Sequence, residues 1–182
     1  MSMGDANMAA AAWAIRPERS EDAAQVEALD DDGFGPGRFA KTAYRLREGV
    51  ERVHALCFVA AAGDALIGSV RFWPVLVGAD RALLLGPLAV KSTMRAQGVG
   101  LALMNHAIAR ARTSDFAAIL LVGDEAYYAR AGFKRVAGIV LPGPVDRARI
   151  LGLALSREVA GAVRRPSIDH PVCADGAPVR KN

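Results

Sequence analysis

The sequence predicts an α/β chain with a mixed α+β sheet. The sheet is central and mostly antiparallel, with one strand–helix–strand crossover and a splayed pair of parallel strands. Three observations carry this reading. Strand-like and helix-like patterns alternate along the chain. "HALCFVAAAGDALIGSVRFWPVLV" holds two apolar, β-rich runs joined at Gly63-Asp64, a hairpin signal. "RALLLGPLAV" and "FAAILLV" bracket an amphipathic helical stretch, the pattern of a crossover between parallel strands.

The elements follow in order. "WAIRP" reads as a first strand ended by Pro17. "SEDAAQVEALDD" is a helix, with Ser20 as N-cap and Ala23, Val26 and Leu29 or Asp30 on successive turns. "DDDGFGPG" is a loop by its glycines and proline. "RFAKTAYRLREG" is a second helix, with Phe39, Ala43 and Leu46 on one face and Gly49 past its end. The hairpin strands come next, then "RALLLGPLAV", interrupted by Gly86-Pro87. Leu101, Met104, Ala107, Ile108 and Ala111 give the following helix an apolar stripe, with Leu101, Met104 and Ile108 anchoring it to the sheet. "FAAILLV" is a strand buried on both faces. "EAYYARAG" is a short helix closed by Gly132, and "FKRVAGIVL" and "ARILGLAL" read as two closing strands around "PGPVDR". The expected organisation is a flexible N-terminus over residues 1–12, one domain over residues 13–160, and a disordered tail over residues 161–182, which is poor in apolar residues and holds three prolines.

Composition excludes several classes. At 182 residues and 52% apolar the chain suits one globular domain. No apolar run reaches the roughly 18 residues that a membrane helix needs. "MSMGDANMAAAAWAI" lacks a basic start and carries Asp5, so it does not read as a signal peptide. Cys57 and Cys173 sit in unlike surroundings and make no disulfide framework, which points to the cytoplasm. His54, His106 and His170 have no metal-ligand spacing, and no metal is expected. The net charge of +4 is mild and its basic residues are scattered, so neither nucleic acid nor membrane is an expected partner.

The chemistry concentrates in "RAQGVGLALM". A helix N-terminus offers N–H groups without intrahelical partners, at the positive end of the helix dipole. Glycine lets the backbone approach an anion closely. Arg95 adds charge and Gln97 an amide donor. Taken alone, the stretch is equally a tight turn that binds nothing. A dinucleotide fingerprint needs a third glycine where Leu103 stands, and the Gly-Lys-Ser/Thr of a P-loop is absent. The upstream strand adds context. Pro87 belongs at an edge or bulge. A bulge there splays the strand from its neighbour and exposes backbone groups of Leu88, Ala89 and Val90 to an extended, amide-bearing ligand. Amides at one end and pyrophosphate at the other describe the pantetheine arm of coenzyme A.

With these residues in hand, the chain resembles the GCN5-related N-acetyltransferases. "RAQGVG" is similar to that family's Arg/Gln-x-x-Gly-x-Gly/Ala signature, and "YYARAGF" places Tyr128, Gly132 and Phe133 like its Tyr-x-x-x-Gly-Phe helix. "LLLGPLAV" and "LPGPVDRARILGLAL" look like a bacterial branch of predicted acetyltransferases. The resemblance runs from "WAIRP" to about Leu155. It implies a GNAT-like sheet and an enzyme that moves an acetyl group from acetyl-CoA, as co-substrate, to a primary amine by direct attack. The non-catalytic alternative is an acyl-CoA-binding sensor of the same fold.

The resemblance also implies roles. Leu88, Ala89 and Val90 would hold pantetheine, with an N–H of Leu88 or Ala89 facing the thioester oxygen. Arg95, Ala96, Gln97, Gly98, Val99, Gly100 and Leu101 would hold the pyrophosphate. Tyr128 would be the catalytic acid, with Tyr127 packed in the core. Asp124 stands where the family commonly has asparagine and reads as adjacent to the cofactor. No base is evident among Glu27, Asp30, Asp31, Asp32 and His54. The acceptor side would be built from "DDDGFGPGR" and "LPGPVDRAR", with Asp32, Phe34 and Arg38 as weak substrate candidates. The acids favour a cationic amine while Phe34 and Arg38 favour an acidic acceptor, so the small-molecule or protein amine stays open. A homodimer is possible through an open sheet edge.

Overall fold

Alternation of buried side chains sets the architecture. Phe58 and Ala60 turn to one face of their strand while Val59 turns to the other. The computed structural model describes residues 13–166. The expected flexible N-terminus over residues 1–12, and residues 167–182 of the expected tail, lie outside the described residues. Within them the order is β1 (Ala14–Pro17), α1 (Ala23–Phe34), α2 (Thr42–Arg45), β2 (Phe58–Ala62), β3 (Ala65–Val77), β4 (Asp80–Val90), α3 (Val99–Ala111), β5 (Ala118–Val122), α4 (Glu125–Tyr128), β6 (Lys134–Arg135), β7 (Ile139–Val140), β8 (Ile150–Ala154) and β9 (Gly161–Arg164).

Among the described residues the strands make one sheet in the order β1-β2-β3-β4-β5-β8-β6, with β9 pairing β3 and β7. The β3–β4 hairpin is antiparallel and β4–β5 is parallel, as the crossover through α3 requires. α3 covers one face, where Leu103, Met104, Ala107 and Ala111 are fully buried against Phe58, Val70 and Leu83. α1 covers the other with Val26 and Leu29 against Val59, Leu66 and Ala89.

The decisive irregularity is in β4. Val70 pairs with Leu88 but Phe72 pairs with Leu85, so Gly86 and Pro87 together oppose Arg71. That extra residue is a β-bulge. Beyond it β4 and β5 part company, since their pairing covers only Ala82–Leu84 against Ala118–Leu120. The predicted splayed parallel pair is present.

Several boundaries differ from expectation. α1 runs through "DDDGF" to Phe34, because Val26, Leu29 and Asp30 keep one face buried through its length. Its start is held by Asp22, which accepts from the Arg19 N–H at 2.8 Å and pairs with Arg16; Ser20 only contacts Glu21. The single helix expected over residues 38–49 is a 3-10 turn (Pro36–Ala40) followed by the one-turn α2, with Lys41 extended between them. Burial of Arg38 fixes the first piece and leaves Phe39 exposed. In α3 Met104 and Ile108 are buried anchors as expected, but Leu103 takes the place of Leu101, which is half-buried. "FKRVAGIVL" forms two short strands rather than one, since β7 turns away to pair with β9. β9 itself lies where the disordered tail was expected to begin; Val163 is buried there against β3, and the ordered chain passes residue 160.

Candidate active site

The parting of β4 and β5 opens a cleft of about 370 Å³. One wall is the free edge of β4. The Lys91 N–H donates to the Ile67 carbonyl at 2.9 Å, which makes Lys91 opposite Ile67 a hydrogen-bonded position of the ladder. Antiparallel ladders alternate, and Ala89–Ser69 is therefore the next bonded pair. Leu88 and Val90 thus turn their N–H and C=O groups to the open side, whereas the Ala89 N–H is spent on β3. Of the two strand donors expected for the thioester oxygen, Leu88 is the one available.

The floor is the start of α3. Gly98 caps it in the left-handed region at φ 80°, a conformation that glycine adopts without strain. The first ladder bond runs from the Ala102 N–H to the Gly98 carbonyl. The N–H groups of Val99, Gly100 and Leu101 therefore have no intrahelical acceptor. Ala96 is also left-handed, at φ 66°, the one non-glycine residue so placed among the described residues. Arg95 lines the same end, with its Nε 3.4 Å from the Val90 carbonyl and its guanidinium 3.8 Å from Asp32.

The third wall comes from α4. Gly123 makes room for it: a Cβ there would collide with the Tyr128 ring. Tyr128 stacks edge-on against Phe133 and Tyr127, with centroids 6.0 and 5.1 Å apart. Burial pushes its phenol up to about 12, so it keeps its proton at neutral pH. Tyr127 does not retire into the core. It lines the cleft beside Tyr128, and its hydroxyl lies where a Cβ on Gly100 would stand.

Leu88, Ala89, Val90, Arg95, Ala96, Gly98, Val99, Gly100, Leu101, Tyr128 and Phe34 thus share one cleft. Others do not join it. The Gln97 N–H bonds the Met94 carbonyl at 3.4 Å and its side chain bonds the Thr93 carbonyl at 3.3 Å. Asp124 caps α4 by accepting from the Tyr127 N–H at 3.2 Å. Arg38 is 2% exposed, paired with Glu27 and Asp31, bonded to the Gly35 carbonyl at 3.1 Å and stacked on Phe39. It ties the loop to α1 and has no face for a substrate. Asp32 reaches Arg95 because α1 continues past it, but it does not itself line the cleft. Sequence reasoning missed Gly33, Met94 and Arg130 as lining residues. Arg130, two positions beyond Tyr128 in "YYARAGF", carried a legible signal: a second cation on the element that closes the cleft.

A second cavity, about 410 Å³, opens on the α1 face of the sheet against the same bulge. Pro87 lines it, while the adjacent Leu88 lines the first. "LPGPVDRAR" does not line either; Thr42 pins it to α2 by donating to the Pro144 carbonyl at 2.8 Å. Among the described residues no cluster of His, Cys, Asp and Glu could hold a metal, and no helix is long and apolar enough to cross a membrane.

The residues present fit coenzyme A: a free strand edge for amides, open N–H groups and two arginines for phosphates, and space between them. The sequence model of the Acetyltransferase (GNAT) family matches residues 23–138. The GNAT family N-acetyltransferase YhbS from Escherichia coli, solved in complex with CoA, is 29% identical with TM-score 0.71, over 84% of this chain and 89% of that one. A GNAT family acetyltransferase from Brucella melitensis in complex with acetyl-CoA is 27% identical with TM-score 0.64, over 85% and 96%. The ribosomal-protein-S18-alanine N-acetyltransferase of Escherichia coli shares the fold at 18% identity and TM-score 0.56, over 81% and 96%. No curated protein matches the chain significantly.

Proposed function

The chain belongs to the GNAT acetyltransferase family, and from that premise we propose that it moves an acetyl group from acetyl-CoA to a primary amine by direct attack. The observation that carries the proposal is the splay of β4 from β5 with Tyr128 and the open start of α3 on its two sides. Acetyl-CoA supplies the activated acetyl group. Leu88 and Val90 bind the pantetheine amides as an added strand would. Val99, Gly100 and Leu101 donate their N–H groups to the pyrophosphate, with Arg95 and Arg130 as counter-charges. The Leu88 N–H polarises the thioester carbonyl. Tyr128 holds a proton at Oη and delivers it to the departing sulfur. A thiol near pKa 8.5 is a good leaving group, so this proton is a modest aid.

The likeness to an S18-alanine N-acetyltransferase supports an amine acceptor only at the level of fold. The free, buried thiol of Cys57, pushed up to about 11 by burial, suits a reducing cytoplasm. The test is release of CoA thiol from acetyl-CoA across an amine panel, with ligand binding followed in parallel. Amine-dependent release that falls in Tyr128→Phe is expected. Tight acetyl-CoA binding with no release for any amine would instead establish the sensor reading.

A further inference from the structure

The cavity on the α1 face has a charge pattern that its own protein partners do not complete. Glu18 pairs with both Arg52 and Arg71, at 3.2 and 2.6 Å. Glu27 is taken by Arg38. Two groups remain. Asp30, on α1, is 2% exposed; its Oδ1 has no hydrogen-bond partner, and the nearest cation is Arg71 at 3.9 Å. Arg47, just past α2, has its Nε and Nη1 buried with no partner. Its guanidinium lies between the rings of Tyr44 and Trp73, at 4.7 and 4.9 Å. It also rests on the bulge: a Cβ on Gly86 would come within 2.9 Å of its Nη2. Asp30 and Arg47 make no ion pair with each other, yet both line this cavity.

Buried polar atoms without hydrogen bonds are costly, and these two groups, Asp30 with only a 3.9 Å contact to Arg71 and Arg47 with two unbonded nitrogens, are opposite in sign and line one space, which suits a ligand carrying both complements. We propose that this cavity is the acceptor pocket, and that the acceptor is a small amine that also bears a carboxylate, an amino-acid-like zwitterion, with Arg47 receiving the carboxylate and Asp30 the ammonium. The proposal rests on the acetyl-transfer reading and names its substrate class. The placement suits the chemistry, because Pro87 and Leu88 are consecutive and each cavity is lined by one of them at the bulge.

Asp30 is then the base that the sequence left unassigned. The ammonium gives one proton to Asp30 Oδ1. The nitrogen lone pair forms the C–N bond as the C–S bond breaks with its electron pair on sulfur. The second proton leaves nitrogen for solvent, sulfur takes the Tyr128 proton, and water restores Tyr128 and Asp30. One proton is released overall. Desolvation pushes the Asp30 carboxyl up to about 6. Arg71, Arg38 and Arg47 pull it down and Glu27 pushes it up. The balance suits a base that works near neutrality.

The experiment uses the full chain, saturating acetyl-CoA, and free α-amino acids each paired with its carboxamide, reading thiol release and melting temperature. For at least one amino acid, kcat/KM should exceed that of the carboxamide by about 30-fold or more, because the amide leaves Arg47 unpaired. Arg47→Met should erase that preference through KM, and Arg47→Lys should keep part of it. Asp30→Asn should lower kcat and remove the acidic limb of the pH profile near 6. Acetyl-CoA should raise the melting temperature equally in all of these variants. Carboxamides or peptide N-termini acetylated as well as free amino acids would overturn the proposal. So would an intact acetyl-CoA shift with no amino acid turned over. Absence of the acetyl-CoA shift in the parent protein would instead overturn the acetyl-transfer reading itself.

Discussion

Tyr128 keeps its proton because the sheet buries it, and Gly123 lets it lie where it does. Tyr128→Phe should lower kcat by about 10- to 100-fold, at the modest end of general-acid effects, and leave acetyl-CoA affinity unchanged; steady-state thiol release alongside calorimetric titration separates the two. Arg38 plays the opposite kind of part. Arg38→Met should cost about 2 kcal/mol of stability, since it removes charge-assisted bonds whose carboxylate partners can return to water. Denaturant titration checks it, with acetyl-CoA binding expected to persist. Asp30 carries a sign that can be worked out. Its carboxyl titrates near 6 in the folded protein against an ordinary 3.8, so the folded state binds the proton more tightly. Stability then falls as pH rises across that window. Asp30→Asn should be more stable than the parent at pH 8, by about 2 kcal/mol, with the gain vanishing below pH 3.8; melting curves across pH measure it. Periodicity put Leu29 or Asp30 on the inner face of "EALDDD" without choosing between them, and it was silent on the partners of Asp31 and Asp32, since neighbouring residues differ only by 100° rotations about a helix. Asp30 faces inward, Asp31 pairs with Arg38, and Asp32 meets Arg95.

The elements that sequence periodicity identified are those with a local signal. The β2–β3 hairpin has its turn, Gly63-Asp64, in the chain between the two runs, and α3 repeats its apolar residues every three or four positions. Gly86-Pro87 announced the bulge because proline cannot serve a ladder. What escaped is non-local. β7 and β9 exist because residues far apart pair, and the break at Lys41 follows from Arg38 being drawn into α1. At the start of α3 the structure also sharpens what a glycine substitution means. A Cβ on Gly98 meets nothing within 4 Å, but φ lies at +80°. Gly98→Val should therefore lose about 1–2 kcal/mol of stability from backbone strain alone. Its side chain would also project into space that the pyrophosphate needs, and acetyl-CoA affinity should drop by more than about tenfold. Denaturation without ligand and calorimetric titration with it measure the two effects separately.

At the scale of the whole molecule, one irregularity organises function. The bulge in β4 separates two strands and lines two cavities, the proposed cofactor cleft at Leu88 and the proposed acceptor cavity at Pro87. The sheet on either side is ordinary, closed by α3 on one face and α1 on the other. A fold so arranged should prefer coenzyme A to other nucleotides, because it offers a strand edge for amides as well as a nest for phosphates. The most direct test is a thermal-shift comparison of acetyl-CoA, CoA, NAD and ATP at equal concentration. A ligand present at about 100 times its Kd adds about 2.7 kcal/mol, which moves the melting temperature by about 5–10 °C in a domain of this size. That shift is expected for acetyl-CoA and CoA, and none for NAD or ATP. A shift with NAD or ATP and none with CoA would contradict it.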